Sequence, residues 1–105
     1  MTRVYVDISV FTPTSSVGVV NGHMDLEVVP TEGEVVTFDK PRSPIAPLNL
    51  SDFTPSIAVE HVLPPIPGSS EVSLSLADIT LATRADALKV AQYLEQGFGL
   101  YFNEH

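Results

Sequence analysis

His23, Asp25 and Glu27 stand at alternating positions in a run of apolar and polar residues, so on a strand they point from one face. An imidazole beside two carboxylates is the set that holds zinc or moves protons. The spacing weighs against that chemistry. Positions i and i+2 lie about 6–7 Å apart on a flat strand, and no second spaced group of His, Asp and Glu accompanies them. The three are read as part of an exposed interaction surface, and no metal or cofactor is expected.

Glu60-His61 is the second candidate. Adjacent strand residues face opposite sides, so the two do not form a dyad with each other. His61 is expected with Ile57, Val59 and Leu63 on a half-buried face, and Glu60 with Ala58 and Val62 on the other. A cavity beside either would make it the polar handle of a ligand pocket, where burial raises a carboxyl pKa. The chain holds no cysteine, no G-x-S-x-G elbow, no S-x-x-K, no H-E-x-x-H and no glycine-rich phosphate cradle. An enzyme is therefore the less favoured reading.

Two further segments offer surfaces. Seven of the nine prolines fall in residues 41–67, and Pro41, Pro44 and Pro47 recur every third residue, as in polyproline II. A Pro-rich loop is expected over 39–55, stiffened and folded over a sheet edge, with Leu48, Leu50 and Phe53 pinning it to the body. It carries Lys40 and Arg42, two of the five basic residues, and joins the expected interaction surface. The tail places Phe98, Tyr101 and Phe102 within five residues. These aromatics either complete the core of this chain or form a partner or dimer patch, since Tyr and Phe are enriched at interface centres.

Composition narrows the partners. Thirteen acids against five bases give a net charge of −8 over 105 residues. That balance argues against a nucleic-acid backbone, which needs Lys and Arg, and against an anionic membrane surface. Apolar residues make up 44% and charged residues 17%, so the chain can build a core. The first residues alternate from Val4 onward like a strand and unlike a signal peptide. A soluble, cytoplasmic protein is expected, and Asn49-Leu50-Ser51 is then a coincidental sequon.

The elements that must position these residues are mostly strands. Val4, Val6, Ile8 and Val10 alternate with Arg3, Tyr5, Asp7, Ser9 and Phe11, which predicts a strand over 3–11 with one buried face. Asn21-Gly22 predicts a type I′ turn joining Val17–Val20 to His23–Val28. That register places Val17, Val19, Met24, Leu26 and Val28 on one face. Pro30-Thr31-Glu32-Gly33 predicts a turn, followed by strands over 34–38, 56–63 and 71–76. The apolar phase flips near Ala77-Asp78, which predicts a bulge or a strand end. Thr83 is expected to cap a helix over 84–96, with Ala87, Leu88, Val90, Ala91 and Leu94 as its apolar stripe and Gly97 as its left-handed stop.

The expected fold class is α+β in one domain, residues 1–105: an antiparallel meander of about five to six strands, open or curled into a small barrel, covered by one C-terminal helix. The expected function is a small acidic interaction module, adaptor-like or inhibitor-like, for a protein partner that the charge suggests is basic. The alternatives are a ligand-binding or enzymatic module near Glu60 and His61, and a structural subunit of a homodimer or larger homo-oligomer.

Overall fold

The computed structural model describes residues 2–38, 48, 50 and 53–104. They form one seven-stranded sheet and one helix, an α+β architecture. The strands are β1 (Thr2–Phe11), β2 (Ser16–Leu26), β3 (Val35–Thr37), β4 (Ser56–Leu63), β5 (Val72–Leu76), β6 (Ile79–Thr80) and β7 (Tyr101–Glu104). Helix α1 (Arg84–Phe98) lies between β6 and β7.

The expected meander is corrected in part. The strand order is β3-β4-β5-β1-β2-β7, with β6 also on β1, and its ends do not join, so the sheet is open. β5 and β6 run parallel to β1, while the β1–β2, β2–β7, β3–β4 and β4–β5 pairings are antiparallel. Parallel neighbours need a long crossover. Here α1 carries the chain from β6 past β1 and β2 to the far edge, where β7 again runs parallel to β1.

The hairpin predicted at Asn21-Gly22 is also corrected. β2 runs straight through those residues, with Gly22 opposite Val6 and His23 opposite Tyr5. The actual turn is Thr12–Ser15, where the Thr12 amide donates to the Ser15 carbonyl at 2.8 Å. A long strand pairing sets Gly18, Val20, Gly22 and Met24 against the buried row Val4, Val6, Ile8 and Val10. That burial is worth more than a local turn preference. The glycines serve the packing. A Cβ at Gly18 would lie 2.6 Å from the Phe102 ring and 2.4 Å from the Asn103 carbonyl oxygen, and one at Gly22 3.1 Å from the Leu100 side chain. Gly22 also has φ +149°. A bulge at Val17, between the Gly18 and Ser16 pairings, brings Val17 to the core together with Val20, while Val19 turns outward.

The phase flip at Ala77-Asp78 separates β5 from β6, both of which pair in turn along β1. The Thr83 hydroxyl accepts from the Asp86 amide at 3.2 Å, the expected cap. The helix extends two residues past the predicted end. Gly97 is buried inside it, and Gly99 takes the left-handed cap at φ +72°, donating to the Glu95 carbonyl at 3.1 Å. The extension buries Phe98.

Helix α1 packs Ala87, Val90, Ala91, Leu94 and Phe98 onto the inner face of the sheet, chiefly over β2 and also against β7 and β1. Phe38 is fully buried and meets Phe98 edge to face at 5.1 Å. The Tyr93 hydroxyl donates to the Phe38 carbonyl at 2.6 Å, and the Phe53 ring lies 6.4 Å from that of Tyr93. Both ends of the Pro-rich segment are thus clamped against the helix. Leu48, Leu50 and Phe53 pack partly buried on the core, while 39–47, 49, 51 and 52 lie outside the described residues.

Candidate functional site

The helix covers one face of the sheet. The other carries Arg3, Tyr5, Asp7 and Ser9 of β1, Asn21, His23 and Asp25 of β2, and Ser73 and Ser75 of β5, none of them buried. This side chain set follows from the period of two in each strand. What the sequence pattern does not reveal is that β5 lies beside β1 and so brings its serines next to Tyr5 and Asp7.

His23 and Asp25 share this face, as expected, and Glu27 follows the end of β2 as an exposed residue. The partner of His23, however, is Glu71. Nδ1 of His23 lies 2.7 Å from Oε1 of Glu71, and Arg3 Nε lies 4.0 Å from Oε2 of the same carboxylate. The Tyr5 ring stands 5.3 Å from the His23 ring at 73°, an edge contact. Glu71 is a site residue that the sequence reading missed. Its only signal was its place two residues before Ser73, in phase with the outward serines. Ser73 pairs with Tyr5, which in turn pairs with His23, so the serine and the imidazole are two strand spacings, about 10 Å, apart. That separation does not suit a nucleophile and its base.

A groove of about 230 Å³ runs along this face, lined by Tyr5, Asp7, Leu63, Ser73, Leu74 and Ser75. It is below the roughly 300 Å³ at which small-molecule sites begin, a size suited to one side chain. Further hollows lie elsewhere among the described residues. One of 220 Å³ lies between Phe53–Ala58 and Ala77–Thr80, and one of 260 Å³ between Leu26–Pro30 and β3.

Glu60 and His61 line none of these three hollows. A bulge places Glu60 between the Val59–Leu76 and His61–Ser75 pairings. The extra residue shifts the strand phase, so Ile57 and Val59 are buried while His61 is exposed on the outer face rather than half-buried with them. Nδ1 of His61 lies 3.9 Å from Oε1 of Glu32.

The tail aromatics divide. Phe98 belongs to the core, Phe102 packs partly buried against it, and Tyr101 is 69% exposed at the sheet edge. β7 is tied to the helix by the Phe102 amide donating to Glu95 at 3.2 Å and by the ion pair of Arg84 with Glu104. Lys40 and Arg42 lie outside the described residues. Among the described residues, no three His, Asp or Glu side chains converge as a metal-ligand group, and no helix is long and apolar enough to cross a membrane. Comparison of the chain with protein-family models, with curated proteins and with solved structures finds no match.

Proposed function

We propose that this chain is an interaction module, adaptor-like or inhibitor-like, that docks a basic protein on the outer face of its sheet. The observation that carries the reading is the composition of that uncovered face. Asp7, Asp25 and Glu71 lie on or beside it, Arg3 is the one Lys or Arg among the described strand residues, and Leu63 is 53% exposed at its border. A sheet face with acids around a modest apolar element complements a surface rich in Lys and Arg. The net charge of −8 adds long-range steering of such a partner.

The test offers the immobilised chain a panel of purified basic proteins of defined sequence at low and high ionic strength. The expected result is saturable binding to a member of the panel that weakens steeply with salt and weakens again in Asp7→Asn/Asp25→Asn. A panel with no saturable binder, or one bound equally well by the double variant, overturns the reading.

A further inference from the structure

The outer-face groove has the chemistry of a receptor for a single arginine side chain, and we infer that an arginine of the basic partner seats there. The inference rests on the interaction reading above and specifies the contact at its centre. Tyr5 supplies an aromatic wall, Leu63 supplies apolar surface, Ser73 and Ser75 supply hydroxyls, and Asp7 supplies a carboxylate, while the Leu74 side chain points to the core and leaves only its strand under the groove. No hydrogen bond or ion pair engages Asp7, Ser73 or Ser75 side chains among the described residues.

Guanidinium suits this set better than an ammonium. It is planar and weakly hydrated, stacks on an aromatic ring, and presents five N–H donors in a fixed fork. Those donors can serve a carboxylate and separate hydroxyls at once, while the aliphatic stem covers Leu63. The wall is also braced. Glu71 holds His23 at 2.7 Å, and the His23 ring abuts Tyr5 at 5.3 Å from the side of β2. Tyr5 is thus supported from β2 while β5 forms the floor beside it. Glu71 and His23 are positioning residues here, and Tyr5, Asp7 and the two serines are the contacts. A preorganised wall lowers the ordering cost of binding.

The probes are N-acetyl-arginine amide, N-acetyl-lysine amide and the neutral isostere N-acetyl-citrulline amide, titrated into the ¹⁵N-labelled full chain. The expected result is saturable amide shifts confined to the neighbourhood of Tyr5–Asp7 and Ser73–Ser75 with the arginine probe, smaller shifts with lysine and none with citrulline. Asp7→Asn should weaken the arginine probe roughly tenfold, the loss of one charge-assisted contact. Tyr5→Leu should remove the preference for arginine over lysine, and Ser73→Ala/Ser75→Ala provides a second variant with little effect on the core. Shifts spread over acidic residues elsewhere, equal binding of citrulline, or an Asp7→Asn chain that binds as before would overturn the inference. A basic protein partner lost in Asp25→Asn but retained in Asp7→Asn would overturn the groove and leave the interaction reading standing.

Discussion

The His23 imidazole on β2 and the Glu71 carboxylate ahead of β5 meet at 2.7 Å across the end of β1. The contact ties together three strands, one of which joins the sheet in parallel and is distant in sequence. Both side chains are partly solvated, at 44% and 27% exposure, so solvent screening keeps its worth to about 0–1 kcal/mol. Glu71→Ala should lower the unfolding free energy read from urea denaturation by that modest amount, and the difference should shrink in high salt. The more specific expectation is faster amide exchange at Val72–Ser73 with β2–β7 unaffected. Equal effects on β5 and β7 would mean that the contact does not stabilise the parallel pairing.

Tyr93 holds the chain where it leaves β3. Its hydroxyl donates to the Phe38 carbonyl at 2.6 Å in a partly buried setting, and its ring lies against Phe53 and Phe98. Tyr93→Phe removes the donor and keeps the ring. The expected cost is about 0.5–1.5 kcal/mol, read from chemical denaturation, with the largest loss of exchange protection at Phe38, whose amide donates to the Pro55 carbonyl at 2.8 Å. An unchanged midpoint would show that water replaces the bond without loss.

Much of the fold is legible in local pattern. The alternation Val4, Val6, Ile8, Val10 identifies the buried face of β1, the bounds of β4 follow from its flanking turn and proline residues, and Thr83 marks the helix start. The pairing partners are not legible, because a period of two is the same for a parallel and an antiparallel neighbour when one face stays wet. Asn21-Gly22 misleads for a related reason. Glycine is there to admit Leu100, a residue 78 positions later, and a single sequence gives no sign of that contact. The site suffers in the same way: His23 and Asp25 are correctly placed on one face, but Tyr5 and Asp7 join them only through the β1–β2 pairing that replaces the expected hairpin, and Glu71 only once β5 is set beside β1.

Gly18 offers a sharp test of β7. An added Cβ would meet the Asn103 carbonyl oxygen at 2.4 Å and the Phe102 ring at 2.6 Å, and a carbonyl in a strand ladder cannot move without breaking its pairing. Gly18→Ala should cost about 1–3 kcal/mol, the usual range for overpacking, and should release exchange protection in Tyr101–Glu104 before the rest of the sheet. Gly33→Ala is the comparison. Nothing lies within 4 Å of its added Cβ, but φ is +90°, so its cost comes from backbone strain and should leave β7 intact.

The turn before β3 carries a defined pH response. Oε1 of Glu34 accepts from the Thr31 amide and from the Thr31 hydroxyl, each at 2.8 Å, while the Glu34 amide donates back to the Thr31 carbonyl at 3.1 Å. The Thr31 amide, first, and its hydroxyl, second, stabilise the ionised form and hold the Glu34 carboxyl below the ordinary glutamate value. A lowered folded-state value means that the turn gains stability above the unfolded-state value and loses it as pH falls through the folded-state one. The Thr31 amide resonance should therefore titrate with a midpoint below that of an unperturbed glutamate, and local exchange should speed up on the acid side of it. In Glu34→Gln the carboxamide oxygen still accepts but has no proton to gain, so the same resonance should stay flat across that range. A Thr31 titration that persists in Glu34→Gln would assign the response to another group.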